Sequence, residues 1–186
     1  MQKKSKYLVI GTPKCGQTSL VEYLIKRFGG EFVADRAEII WRDDGIELFV
    51  KNGYEENYRP IIIIRDPIER IWSDWNHLGQ GYGFKTFLDY LRNDSNKDLG
   101  GLGEYNPIKR SNYEKYIKRW QKYDPIVLDM EDMIRNPNFG HRNKGAEHND
   151  KYLPMPEHYR KLCRILLDLE VNGKSFYDKI PKEIQV

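Results

Sequence analysis

The chain has 186 residues, of which 39% are hydrophobic and 32% charged, and its net charge is +3. This is enough chain for one domain with its own core, and too weakly basic, with Lys and Arg scattered among Asp and Glu, for a non-specific nucleic-acid binder. Cys15 and Cys163 suggest neither a disulfide framework nor a zinc site, no apolar run approaches a membrane span, and Met1 to Lys6 is too polar for a signal peptide. A single domain over residues 1–186, reduced thiols and a cytoplasmic location are therefore expected.

In chain order, Tyr7-Leu8-Val9-Ile10 is a strand, followed by a glycine-bounded loop and a helix whose apolar positions Leu20, Tyr23, Leu24 and Phe28 recur at helical spacing. Gly29-Gly30 ends that helix. Glu31 to Ala34 is a short strand, Ala37 to Gly45 runs into a turn, and Ile46 to Val50 reads as another strand or an edge piece. Pro60-Ile61-Ile62-Ile63-Ile64 is a run of the kind that parallel sheets bury on both faces. It ends in Arg65. Asp66-Pro67-Ile68-Glu69 then places a cap residue, a first-turn proline and a third-position glutamate before a helix to about Leu78.

Gly79 to Gly83 breaks this helix, Phe84 to Leu91 forms another, and Asn93 to Pro107 is polar and glycine-rich. Ser111 to Glu114 reads as a capping box for a helix with Tyr113, Tyr116, Ile117 and Trp120 along one face. Pro125 to Leu128 is another buried strand, and Arg135 to Leu153 is a long loop. The last helix, from Glu157 to about Leu169, packs through Tyr159, Leu162, Leu166 and Leu169. Strands alternating with helices indicate an α/β fold with a parallel sheet, which binds ligands beyond the carboxyl ends of its strands. The loop after Ile10 and Arg65 both fall at such ends.

Gly11-Thr12-Pro13-Lys14-Cys15-Gly16-Gln17-Thr18 has the spacing of the Walker A loop, G-x-x-x-x-G-K-[ST], with Gln17 in place of the lysine. Backbone N–H groups of such a loop and of the helix start hold a phosphate whatever the side chains. The residue that serves a β- or γ-phosphate is replaced, while Lys14 lies inside the loop. A phosphate-bearing nucleotide other than ATP or GTP is the expected ligand. Arg65 at a strand end, with Ser73 on the following helix, supplies a planar fork and a short hydroxyl donor for a second phosphate.

Together these two stretches resemble the sulfotransferases that use 3′-phosphoadenosine 5′-phosphosulfate (PAPS). In that family a loop similar to P-K-x-G-T-[ST] grips the 5′-phosphosulfate. Here Pro13-Lys14-Cys15-Gly16-Gln17-Thr18 takes that place, with Gln17 for the usual threonine and Ser19 following. The family's signature for the 3′-phosphate, R-[DN]-P-x-x-R-x-x-S, is matched at every fixed position by Arg65-Asp66-Pro67-Ile68-Glu69-Arg70-Ile71-Trp72-Ser73. Ile126 to Met133 and Asn136-Pro137 are similar to later family stretches. Arg142, Lys144 and Gly145 resemble the basic loop that closes over the nucleotide, although a solvated charge cluster is an equal reading.

The resemblance implies a three-layer, P-loop NTPase-like sulfotransferase fold: a mostly parallel central sheet flanked by helices. It implies PAPS as donor with no metal, and transfer of a sulfuryl group to an acceptor hydroxyl or amine. Lys14 would neutralise charge on the leaving phosphate. In the carbohydrate-modifying branch, closest in motif, the base is a glutamate after the second strand; Glu38 fits, with Ala37 and Ile40 replacing the usual Lys and His. His77, one turn beyond Ser73, is the rival base, Asp35 a third choice, and Asp43 and Asp44 read as turn residues. A saccharide is the first acceptor to consider. The alternatives are a P-loop nucleotide kinase with Asp129 at a strand end for Mg²⁺, and a protein that binds PAPS or its product without transfer.

Overall fold

The structure, a computed structural model, describes residues 6–11, 14–35, 45–79, 83–92, 106–135, 139, 154–175 and 179. The chain divides into two compact units, Met1–Arg65 with Tyr113–Arg142, and Asp66–Asn112 with Asn143–Val186.

Among the described residues, the first unit is built on four parallel strands: β1 (Lys6–Gly11), β2 (Val33–Asp35), β3 (Tyr58–Ile64) and β4 (Ile126–Asp129), in the order β2-β1-β3-β4. The register pairs Val9 with Asp35 and with Ile61, and Ile63 with Leu128. Side chains alternate across a strand, and both faces here are apolar. Val9, Ile61 and Ile63 meet Leu20 and Leu24 of α1 (Gln17–Phe28) and Met130 of α7 (Met130–Arg135). Leu8, Ile10 and Ile62 meet Phe49 of α2 (Gly45–Lys51) and Tyr116 and Trp120 of α6 (Tyr113–Trp120). Helices thus flank the sheet on both sides, as expected of an α/β fold.

Two boundaries in this unit differ from expectation. Gly29 at φ 97° ends α1, and Phe32 N–H then bonds to Gly29 O, so Gly30–Phe32 makes a 3₁₀ turn and strand pairing starts only at Val33. Ile46 to Val50 is a helix and not an edge strand. Phe49 is fully buried with its ring 5.2 Å from that of Trp120, Ile46 lies one turn before it, and Val50 is exposed, which is a helical rather than an alternating pattern. A short α3 (Tyr54–Asn57) leads into β3.

The second unit contains α4 (Pro67–Asp74), continued by a π-helical turn over Trp75–Gly79, then α5 (Phe87–Leu91) and α8 (Glu157–Val171). Asp66 Oδ1 accepts from Ile68 N at 2.9 Å and Glu69 N at 2.8 Å, the cap read from sequence. Helix α5 starts three residues later than expected because Thr86 and Asp89 close a reciprocal capping box. Ile71, Trp72 and Trp75 pack with Phe87, Tyr90 and Leu91 and with Cys163, Leu166 and Leu167. The buried stripe of α8 is therefore centred on Cys163, and Tyr159, Leu162 and Leu169 are only partly covered.

Ser111 does not cap a helix. Its hydroxyl donates to Pro107 O at 2.8 Å and accepts from Arg70 Nε at 2.9 Å and Nη2 at 2.7 Å. Arg70 also reaches Asp74 Oδ2 at 3.2 Å, where Tyr90 O–H donates at 2.8 Å. Arg70, Asp74 and Tyr90 are fully buried, so this network holds the unit's polar interior. Burial and the Asp74 carboxylate push the Tyr90 hydroxyl well above the ordinary tyrosine range.

Candidate functional site

In a doubly wound sheet the binding crevice opens where successive connections leave in opposite directions. Here that point lies between β1 and β3, because β1 is followed by β2 on one side and β3 sits on the other. The Gly11 to Gly16 loop leaves β1 there, and Arg65 follows the last residue of β3.

The loop has a demanding backbone. Lys14 has φ 68° and Gly16 φ 82°, both left-handed, a type of turn that forms anion-binding nests. Glycine is required at position 16 twice over, since a Cβ there would lie 2.3 Å from Met130 Sδ. Gly11 is similarly closed in, with the space for a Cβ 2.8 Å from Ile63 Cγ2. Helix α1 then begins at Gln17, and Leu20 N–H bonds to Gly16 O at 3.1 Å.

Side chains of the same unit hold the loop from three directions. From β3, Arg65 Nη1 donates to Lys14 O at 3.2 Å. From β2, Asp35 Oδ1 accepts from the Gln17 side-chain amide. From α6, the Tyr113 hydroxyl lies 3.4 Å from Cys15 Sγ, and Cys15 is fully buried. Lys14 and Arg65 are half-buried, Thr18 is exposed, and Gln17 and Ser19 are buried.

The sequence-predicted residues thus fall into three groups. Lys14, Cys15, Gly16, Gln17, Thr18, Ser19 and Arg65 belong to the first unit, and the Arg65 hydrogen bond joins the two motif-bearing strand ends. Ser73, which is buried on α4, and His77, which is exposed on the π turn, belong to the second. Pro13, Glu38, Asp43, Asp44, Arg142, Lys144 and Gly145 lie outside the described residues. Asp129 caps α7, its Oδ1 accepting from Glu131 N at 2.8 Å.

Tyr113 was legible only as a helix-face residue and Met130 only as part of the stretch similar to a later family motif, and the Asp35 contact with Gln17 had no sequence signal. Arg70, a fixed position of the R-D-P signature, is committed to Ser111, Pro107 and Asp74 inside the second unit. It is a scaffold residue. Among the described residues no cluster of His, Cys, Asp and Glu could hold a metal, and no helix is long and apolar enough to cross a membrane. Neither a protein-family model nor a solved structure matches the chain.

Proposed function

We propose that this chain is a sulfotransferase that moves a sulfuryl group from PAPS to a hydroxyl or amine of an acceptor, with a saccharide as the first candidate. The observation that carries this is the hydrogen bond from Arg65 to Lys14 O. It joins the turn after β1 to the residue after β3, 51 residues apart in sequence, at the carboxyl ends of two adjacent parallel strands, which supports a donor site shared by Lys14 and Arg65. The left-handed turn at Lys14 and Gly16 suits an anionic phosphate, and Arg65 suits a second one.

In the proposed reaction PAPS supplies the sulfuryl group. The bond from sulfur to the bridging oxygen breaks, the acceptor oxygen or nitrogen bonds to sulfur, the acceptor proton passes to a base, and adenosine 3′,5′-bisphosphate leaves. Lys14 supplies positive charge at the bridging oxygen, and the loop backbone supplies fixed dipoles. Glu38 is the base favoured by motif, ahead of His77 and Asp35. The part of Ser73 at the 3′-phosphate follows from the signature alone. A kinase would require Asp129 for Mg²⁺, whereas one oxygen of that carboxylate already caps α7.

Calorimetry with adenosine 3′,5′-bisphosphate against ATP plus Mg²⁺ tests the donor, and labelled PAPS with a panel of saccharides tests the transfer. Binding of the bisphosphate with acceptor-dependent release of it is expected. Tight binding of ATP and Mg²⁺ in its place would sink the assignment, and bisphosphate binding without transfer to any acceptor would leave a binding protein. Glu38→Gln should abolish transfer and His77→Ala should spare it; the reverse pattern reassigns the base.

A further inference from the structure

Position 17 is where a Walker A loop carries the lysine that reaches a β- or γ-phosphate. In this chain the side chain at that position is turned sideways. Gln17 is buried, its Oε1 lies 3.6 Å from the space a Cβ would take on Gly11, and its amide nitrogen donates to Asp35 Oδ1. The side chain thus crosses from the end of β1 to the end of β2, with Val9 and Asp35 paired in the parallel register beside it. Two things follow. The amide is already engaged, and a carboxylate oxygen lies where the tip of the Gln17 side chain arrives.

Resting on the sulfotransferase reading above, we infer that Gln17 and Asp35 act together as the donor-specificity pair, excluding nucleoside triphosphates from the loop. Gln17 alone removes the phosphate-seeking cation. Asp35 completes the exclusion, because a lysine placed at position 17 meets a carboxylate within hydrogen-bond reach and pairs with it in preference to a phosphate. Restoring the Walker lysine is therefore insufficient. Triphosphate binding requires that the carboxylate be removed as well.

The experiment is a double-mutant cycle on the full chain, with calorimetric Kd values for ATP plus Mg²⁺ and for adenosine 3′,5′-bisphosphate, and thermal unfolding to verify folding. Gln17→Lys and Asp35→Asn alone should each change ATP affinity by less than about threefold, and the double variant should raise it at least about tenfold. A full tenfold gain in Gln17→Lys alone, or no gain in the double variant, overturns the inference. Should Gln17→Lys fail to fold, Gln17→Arg with and without Asp35→Asn puts a cation at the same position. A gain of at least about tenfold in ATP affinity is expected in that double variant only, and no gain in it overturns the inference. Failure of the wild type to bind the bisphosphate counts against the sulfotransferase reading, while the coupling measured with ATP still decides the role of the pair.

Discussion

Arg65 Nη1 donates to the carbonyl of Lys14 at 3.2 Å, a bond between the residue that follows β3 and the turn that follows β1. Lys14 holds a left-handed conformation, and Arg65 is half-buried beside it. A guanidinium forms such a bond while keeping other N–H groups for a ligand, which an ammonium on a flexible stem does less well.

Arg65→Lys should therefore lower affinity for adenosine 3′,5′-bisphosphate by about tenfold or more, although the charge is unchanged. Titration calorimetry at fixed ionic strength checks this. Equal affinity in the lysine variant would show that only charge matters at this position.

Stability and turnover should separate at Lys14. Lys14→Gly relieves a left-handed residue, worth about 1–2 kcal/mol, and gains unfolded-state freedom that offsets part of it. Chemical denaturation should show stability unchanged or raised by up to about 1 kcal/mol, while sulfuryl transfer falls by about a hundredfold or more. Lys14→Ala should lose similar activity without the gain in stability. Full turnover in either variant removes Lys14 from the chemistry.

Gly16→Ala sets a new Cβ against Met130 Sδ and forces alanine into the left-handed region. A loss of about 2 kcal/mol or more is expected, with loss of bisphosphate binding. In a Met130→Ala background, which carries its own cavity cost, the same glycine substitution should cost less, since the clash is gone and the backbone cost remains. Urea denaturation of the single and double variants measures the two contributions.

Removing Arg70 should damage folding rather than a phosphate contact. Arg70→Met leaves the buried Asp74 carboxylate with Tyr90 as its partner among the described residues, at a cost of about 3–5 kcal/mol. Asp74→Asn in the same chain should restore part of this, because the amide carries no charge. A folded Arg70→Met variant of undiminished stability would contradict the scaffold assignment.

Alkaline pH should destabilise the protein through groups of the second unit. Burial pushes the Cys163 thiol from 9.0 up to about 12, and burial together with Asp74 raises Tyr90 above 10.0. The unfolded chain loses these protons first, so the stabilisation is complete below about pH 9 and declines through about pH 12, by about 1 kcal/mol per pH unit for each group within its window. Denaturation at pH 8 to 11 should show the decline, and Cys163→Ala should flatten its first part.

Strands β1, β3 and β4, the loop that joins β1 to α1, the Asp66 cap and the parallel sheet could be read from sequence because each depends on a short run of neighbouring residues. Ile61 to Ile64 is β-branched throughout, which favours a strand over a helix, and Asp66-Pro67 supplies a cap residue and a first-turn proline for the helix after it. Ile46 to Val50 misled because a short apolar run fits two periods, and Phe49 against Trp120 selected the helix. Ser111 misled because a local cap lost to a longer-range demand from Arg70. What only the tertiary structure decided is which side chains hold the loop. Gln17 and Asp35 are 18 residues apart, Lys14 and Arg65 are 51 apart, and Cys15 and Tyr113 are 98 apart. Sheet order and register bring these pairs together, and both are set by burial summed over the whole unit rather than by the residues that meet.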